Sequence, residues 1–240
     1  FNVSEEDLFQ LNRLAKENRR RIASGEAAKQ EENRFASFAT LWEPRDTIGG
    51  DLWWVSSSQR SGPFILAIAD CTGHGVPGAM LSLLVSNSLE RIYAHSTKED
   101  PATALISLDH FVRTGLNQDR TESESDDGCD AVVLRIDREK QSIEFAGAKI
   151  GLFQLTAQGQ VIRHSVARCS LGYVEAIAQA DMPQVATISY ETGDLFVIVT
   201  DGFTDQIGGP GEKKIAYGYR RLELLLQKNK DSDAQAMTEC

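Results

Sequence analysis

The sequence predicts an α+β sandwich, in which two groups of β-strands flank a pair of helices. Short apolar runs rich in β-branched residues, which are typical of buried strands, cluster in two parts of the chain. Between these groups lie two stretches whose apolar residues recur with helical spacing. A parallel sheet would need strands and helices that alternate one by one, and this order of segments does not provide them.

The first predicted element is a helix over residues 4–33, which Ser4 can cap. Its apolar residues form one thin stripe on an otherwise charged and polar surface. Such a stripe is typical of a coiled coil or of a helix docked on a partner, and a surface helix packed on its own domain would show it equally. We therefore expect an N-terminal regulatory or dimerisation helix at residues 1–34 and a globular domain at residues 35–240.

Within the globular domain, periodicity and turn residues predict each element in turn. Leu81, Val85 and Leu89 recur on one helical face, and Pro101 suits the first turn of a second helix. Residues 117–130 are acidic and rich in serine, and they predict a loop. The expected order is strands at 35–42, 51–57 and 63–70, helices at 77–94 and from 101, strands at 130–137, 142–148, 150–156, 160–166, 186–190 and 194–200, and a last helix at 218–229.

Composition excludes several classes of protein. The chain has 240 residues, enough for a sizeable core, and a net charge of −10, which argues against binding to nucleic acid. No segment approaches the roughly 18 consecutive apolar residues of a membrane span, so we expect no membrane contact by this chain. Its four cysteines form no CxxC pair, and free thiols suit a reducing compartment. We expect a cytoplasmic protein, or the cytoplasmic piece of a longer membrane-anchored sensor, because the chain begins with Phe1.

Three aspartates occupy similar positions relative to predicted strands and glycines. Asp70 and Asp201 each follow a short apolar run, and Asp51 follows Gly49 and Gly50, which allow a tight turn and a close backbone approach. Clustered or buried carboxylates need compensation by a cation, and sites made only of oxygen ligands suit Mg²⁺ or Mn²⁺. Each motif alone is equally consistent with an ordinary turn, but three in one domain predict a metal site between strand ends.

The neighbours of these aspartates extend the predicted site. The backbone carbonyl of Cys71 would face it, and Asp205 lies one helical turn after Asp201. Three acids with carbonyls and waters could hold two divalent ions, which lower the pKa of a water and clamp the oxygens of an in-line displacement. No Walker loop, GxSxG elbow or HExxH motif is present. The sequence therefore predicts metal-dependent hydrolysis of a phosphoester.

These motifs resemble the SpoIIE/RsbU branch of the PPM-type metal-dependent serine/threonine phosphatases over roughly residues 35–229. The resemblance rests on motifs whose order and spacing match, namely Gly49-Gly50-Asp51, Ile68 to Ala79 with its GHG segment, Phe145-Ala146-Gly147-Ala148, Ser170-Leu171-Gly172, Thr192-Gly193-Asp194, Thr200 to Asp205 and Tyr217-Gly218. It implies two stacked antiparallel sheets with helices on the outside.

The resemblance also implies a binuclear Mn²⁺ or Mg²⁺ centre. Asp51 and Asp70 would be metal ligands, with Asp70 bridging the two ions and the Cys71 carbonyl assisting. Asp201 would hold the second ion, and Asp205 matches a position that holds a third, weaker ion in some relatives. Asp51, Asp70 and Asp201 would thus be the catalytic residues. Just before the first motif stands Arg45, which is a candidate phosphate clamp by position and equally consistent with a surface arginine.

The implied substrate is a phosphoserine or phosphothreonine on a small STAS-domain protein, an anti-sigma-factor antagonist of a bacterial partner-switching system. The helix at 4–33 suits the linker that joins such domains to a sensor, and it would also suit a homodimer. Two departures matter. Ala148 stands where relatives carry a histidine. Relatives also end with a strand that carries an Asp-Asp-x-Thr motif, and this chain reaches Cys240 without that motif. We expect either that the chain ends before this motif, or that the metal ion held by Asp201 lacks one of its ligands.

Other functions remain open on the sequence alone. A catalytically weak module that keeps the phosphatase fold for binding or regulation would fit the missing last motif. A phospho-accepting receiver domain also places acids at strand ends, but it needs alternating βαβ units. The net charge disfavours a metal nuclease. In the 117–130 segment, Asp126, Asp127 and Asp130 could bind a peripheral ion or simply belong to a solvated loop.

Overall fold

The computed structural model describes residues 39–44, 46–56, 62–94, 97–120, 123, 125–208, 215–230 and 234–238. The predicted helix at 4–33 and Arg45 lie outside these residues. The strands are β1 (Leu52–Val55), β2 (Phe64–Cys71), β3 (Cys129–Asp137), β4 (Ser142–Ala148), β5 (Leu152–Leu155), β6 (Val161–His164), β7 (Ala186–Ser189), β8 (Leu195–Val197), β9 (Ile207–Gly208) and β10 (Ile215–Ala216). The helices are α1 (Gly75–Ile92), α2 (Pro101–Gly115), α3 (Asp201–Thr204), α4 (Gly218–Lys228) and α5 (Ala234–Thr238), with a 3₁₀ turn at Gln179–Asp181.

The larger sheet has five antiparallel strands in the order β1-β2-β3-β4-β7. Successive side chains of a strand point to opposite faces, and in β3 Val133 joins the core on one face while Val132 and Leu134 join the core on the other. Both faces are therefore covered. This explains why β2 and β3 read as nearly continuous apolar runs rather than as alternating ones.

Helices α1 and α2 cover the first face, and a second sheet covers the other. Apolar residues of both helices fill the core on the helical side, among them Val85, Leu105 and Leu108, which are fully buried. The second sheet has three antiparallel strands in the order β6-β5-β8. Its Leu152 packs in the core between the sheets, while Phe153 points outward against α4. The layers are helices, sheet, sheet and helix, which confirms the predicted α+β sandwich.

Helix α2 begins as the sequence predicts. Pro101 occupies the first turn, where a missing amide hydrogen costs nothing. The carboxylate of Asp100 caps the helix by accepting hydrogen bonds from the backbone N–H groups of Ala102 (3.1 Å) and Thr103 (3.0 Å).

None of the helices that the structure describes combines the length and the apolar character needed to cross a membrane.

Three predicted boundaries are wrong. Residues 39–42, the described part of the strand predicted at 35–42, are not in regular secondary structure. The strand predicted at 194–200 is shorter in the structure, from Leu195 to Val197, and residues 198–200 are in no regular secondary structure before α3 begins at Asp201. The loop predicted at 117–130 ends two residues early, at Gly128, and the strand predicted at 130–137 begins one residue early, because Cys129 and Asp130 pair in register with Cys71 and Asp70 of β2. Aspartate disfavours strands locally, and cross-strand pairing overrides that preference here.

Candidate metal centre

The pairing of β1 with β2 brings two of the predicted acids to the same edge of the sheet. Asp51 directly precedes β1, and Asp70 is the second-to-last residue of β2. Leu52 pairs with Ala69, so in the antiparallel register the two acids stand at facing positions of neighbouring strands. The sheet therefore holds both carboxylates on rigid elements.

The third acid, Asp201, lies in the segment that follows β8, a strand of the second sheet. Asp201 begins the single helical turn α3, and the hydroxyl of Thr200 just before it donates a hydrogen bond to Asp51 Oδ2 at 3.2 Å. The carboxyl groups of Asp51 and Asp201 both lie in hydrogen-bonding contact with Asp70. Three segments that are far apart in the chain thus place Asp51, Asp70 and Asp201 together.

The surroundings of Asp70 disfavour its negative charge. Burial has the largest effect, and the charges and carboxyl contacts of Asp51 and Asp201 add to it, so that the pKa of Asp70 rises to about 8. Around neutral pH such a carboxyl group needs either a proton or a cation beside it. The cluster therefore has the electrostatics of a cation-binding site.

The two glycine-containing motifs touch through their backbones. A Cβ atom on Gly50 would lie 2.6 Å from the carbonyl oxygen of Cys71 and 3.0 Å from that of Gly73. Gly78, in the first turn of α1, approaches the same Gly73 oxygen just as closely, at 2.7 Å from a Cβ. The carbonyl of Cys71 therefore lies beside the residue that precedes Asp51. Only glycine at position 50 permits this approach.

The donors of this cluster fit a hard divalent cation. All of them are carboxylate or carbonyl oxygens, the ligands that Mg²⁺ and Mn²⁺ prefer. Among the described residues, no three His, Cys, Asp or Glu side chains surround one point as a preformed cage. The carboxyl group of Asp70 instead contacts Asp51 and Asp201 in separate pairs. Mg²⁺ commonly takes one or two carboxylates and completes its shell with water. The residues present therefore fit ions that share carboxylates.

The remaining predicted site residues occupy different settings. Asp205 ends the α3 turn, its amide donates to the Asp201 carbonyl at 2.7 Å, and its side chain is exposed. The side chain of Cys71 is buried away from the acids against Cys129, and this contact, together with burial, raises the pKa of the Cys71 thiol. Only the backbone carbonyl of Cys71 can therefore serve the site.

A fourth acid, Asp130, was a sequence candidate only for a peripheral ion or a solvated loop, and its place beside Asp70 and its two partners were not predicted. Asp130 pairs across the sheet with Asp70, accepts a hydrogen bond from Ser170 Oγ at 2.5 Å and forms an ion pair with Lys149 Nζ at 3.7 Å. Burial raises the pKa of Asp130 and the charge of Asp201 adds to this, while Ser170 and Lys149 act in the opposite direction. One signal in the sequence could have placed Asp130 beside Asp70. Asp130 precedes an apolar run, and in an antiparallel pair the start of one strand lies beside the end of the other.

The chain is similar to known proteins in both sequence and structure. A family model described as "Stage II sporulation protein E (SpoIIE)" matches residues 60–239. No curated protein sequence matches the chain significantly. Among solved structures, the SiaA-PP2C domain of Pseudomonas aeruginosa is 29% identical to this chain, with a TM-score of 0.69, and the match covers 83% of this chain and 74% of that domain.

Two more distant structures share the fold. RsbX, solved in complex with magnesium, is 18% identical with a TM-score of 0.52, and the match covers 83% of this chain and 81% of RsbX. The RsbU and RsbW domains of Rv1364c from Mycobacterium tuberculosis are 19% identical with a TM-score of 0.57, covering 76% of this chain and 46% of that one. At these identities the likeness concerns the arrangement of sheets and helices.

Proposed function

Because the chain belongs to the SpoIIE family of PPM-type serine/threonine protein phosphatases, we propose that it removes phosphate from phosphoserine or phosphothreonine in a protein, with the help of divalent metal. One observation carries the proposal. Asp51, Asp70 and Asp201 meet at the edge of the sheet, where burial and mutual repulsion raise the pKa of Asp70 to about 8. A cluster with this charge is suited to two shared Mn²⁺ or Mg²⁺ ions.

Each residue of the carboxylate cluster has its own role in the proposed reaction. Asp70 would bridge the two ions, Asp51 and the Cys71 carbonyl would hold one of them, and Asp201 would hold the other. Bound ions of this kind supply a water of lowered pKa and a clamp on the phosphoryl oxygens. The hydroxyl of Thr200 orients Asp51 through its hydrogen bond of 3.2 Å. We keep Asp205 as the ligand of a third, weaker ion and, by its position before the first motif, Arg45 as a phosphate clamp.

The proposed mechanism uses direct attack by water. Covalent catalysis would need a nucleophilic side chain beside its base. Cys71, the cysteine next to the acids in sequence, is buried with a raised pKa and lies against Cys129, so its thiol is unsuited to attack. Asp51, Asp70 and Asp201 would instead hold the ions, whose chemistry would supply a water for attack opposite the leaving serine or threonine oxygen.

Phosphate release with and without added metal tests this function directly. We expect the chain to release phosphate from a phosphoserine peptide when Mn²⁺ or Mg²⁺ is added, and to stop when a chelator removes the metal. A phosphotyrosine peptide of the same sequence serves as the matched substrate control and should be hydrolysed much more slowly. If folded protein binds Mn²⁺ but releases no phosphate from the phosphoserine peptide, the chain is instead a binding or regulatory module with this fold.

The substrate class follows from the same family relationship. We propose a phosphorylated STAS-domain protein, the anti-sigma-factor antagonist of a partner-switching system. The similarity to a chain that joins RsbU and RsbW domains supports this choice. The acidic surface, with a net charge of −10, suits a protein partner rather than a nucleic acid. We place the domain in the cytoplasm, where such partners act.

We propose that residues 1–34 form a regulatory helix through which two copies pair, and that residues 35–240 form the phosphatase domain. The thin apolar stripe of residues 4–33 would be the contact between copies. Light scattering should give a dimer mass for the whole chain, and replacing Leu8 and Leu11 with glutamate should give a monomer mass. The same dimer mass for both proteins would contradict this arrangement.

A further inference from the structure

Lys149 occupies a strained position in the tight turn that follows β4. Its φ is +60°, in the left-handed region that non-glycine residues rarely adopt. The N–H of Ile150 donates to the Ala148 carbonyl at 2.8 Å, which makes Lys149 the central residue of a γ-turn. A positive φ at this position of a γ-turn is the rare and strained form. A lysine there, where glycine would be unstrained, suggests that the side chain is needed.

The surrounding backbone holds this turn in place. The N–H of Lys149 donates to the Ala167 carbonyl at 2.9 Å, and the N–H of Ala167 donates to the Gly147 carbonyl at 3.0 Å. Ala148 and Ile150, on either side of the lysine, are buried, while the Lys149 side chain is 52% exposed. The turn is therefore a rigid support that presents one cationic side chain toward solvent.

That cation stands at the rim of the carboxylate cluster. Lys149 Nζ lies 3.7 Å from Asp130 Oδ1, and Asp130 is the cross-strand partner of Asp70. Ser170 donates to the same Asp130 oxygen at 2.5 Å and so orients the carboxylate. The longer distance to Lys149 leaves the ammonium in a loose ion pair rather than a tight hydrogen bond. A loosely held ammonium can direct its donors to an incoming anion.

We propose that Lys149 binds the phosphoryl oxygens of the substrate at the edge of the metal centre, and that Asp130 and Ser170 are positioning residues that hold the ammonium there. Lysine is a compact point charge, and it binds phosphate as one. The ammonium would compensate negative charge on oxygens that the proposed metals do not reach. This proposal rests on the phosphatase function proposed above.

Inorganic phosphate, the expected product, is the probe that tests Lys149. Titration calorimetry of the full chain saturated with Mn²⁺ should show phosphate binding about tenfold weaker after Lys149→Met, as loss of one charge-assisted hydrogen bond implies. Lys149→Arg keeps the charge and should recover most of the affinity. Lys140→Met is the matched control, because Lys140 also pairs with an aspartate, Asp137, at 3.2 Å, but in the exposed turn between β3 and β4.

Kinetics with a phosphoserine peptide should show the same pattern. We expect Lys149→Met to raise KM by about tenfold with a smaller change in kcat, as expected when substrate binding is the main loss. Lys149→Gly removes the charge and relieves the strained φ, so it should fold at least as stably as the original chain and still bind phosphate weakly. This variant separates loss of the ammonium from loss of folding.

A simpler role would be that Lys149 only neutralises Asp130. In that case Lys149→Met would change the affinity for Mn²⁺ but leave phosphate affinity at saturating Mn²⁺ unchanged, and this result would overturn the proposal. If the original chain binds phosphate but hydrolyses no phosphoester, the proposed function fails while weaker phosphate binding by Lys149→Met still supports the role of Lys149. If the original chain binds no phosphate, the role of Lys149 fails whether or not the chain hydrolyses the peptide.

Discussion

Replacing Asp70 with asparagine is expected to reduce metal-dependent phosphate release by about a thousandfold or more. Asp70 lies between Asp51 and Asp201, so its loss would remove the shared ligand of the two proposed ions. Bound metal supplies several kcal/mol of transition-state stabilisation, and each 1.36 kcal/mol corresponds to a factor of about ten in rate. Phosphate release from a phosphoserine peptide in saturating Mn²⁺ measures the effect.

The same substitution should stabilise the metal-free protein above about pH 4, with the largest effect from about pH 8 upward. Because the pKa of Asp70 is about 8 in the folded protein and about 4 in an unfolded chain, the folded state retains a proton that the unfolded state has lost. The stability that this proton contributes is complete below about pH 4 and is lost as pH rises toward 8. Asparagine is neutral throughout. In chelator, we therefore expect the Tm of Asp70→Asn to rise relative to the original chain between about pH 4 and pH 8.

These opposite effects on activity and stability separate a lost metal ligand from a misfolded protein. Asp181→Asn is a suitable control, because Asp181 is exposed in the 3₁₀ turn and does not contribute to the raised pKa of Asp70, so both quantities should stay nearly unchanged. An Asp70→Asn protein that keeps its activity would exclude the role proposed for this carboxylate. Addition of Mg²⁺ should raise the Tm of the original chain near pH 8, where the cation takes the place of the proton, and leave the Tm of Asp70→Asn nearly unchanged.

Replacing Gly50 with alanine is expected to damage both stability and metal binding. The new Cβ would lie 2.6 Å from the Cys71 carbonyl oxygen and 3.0 Å from that of Gly73, and neither backbone atom can rotate away. Overpacking of this kind typically costs about 1–3 kcal/mol. Relief of the clash would separate Asp51 from the loop that carries Cys71. We expect a lower free energy of unfolding in urea and a weaker affinity for Mn²⁺ in calorimetry.

Gly202→Ala is the matched control for this change. Gly202 follows Asp201 directly, yet a Cβ atom added to it would have Thr200 Oγ1 as its nearest neighbour, at 4.0 Å. The glycine belongs to α3, so alanine there should be neutral or slightly favourable. Equal losses in both variants would mean that the close approach at Gly50 has no special importance.

Most elements of the fold follow from local patterns. Leu81, Val85 and Leu89 recur with helical spacing, and all three are buried on the face of α1 that covers the larger sheet. The strand predicted at 63–70 matches β2 to within one residue, because burial on both faces makes the whole strand apolar. The strand predicted at 130–137 likewise begins within one residue of β3, but its pairing with β2, which places Asp130 opposite Asp70, could not be predicted from local patterns.

The amino-acid sequence by itself determined the kind of chemistry, because the acids at strand ends and the glycines beside them are adjacent in the chain and can be recognised as local motifs. Only the tertiary structure decided which carboxylates meet, and that Asp130, Ser170 and Lys149 join them. The physical reason is distance. Charge interactions and pKa shifts depend on separations of a few ångströms and on burial, and for residues far apart in the chain both are set by strand register and by the packing of the layers.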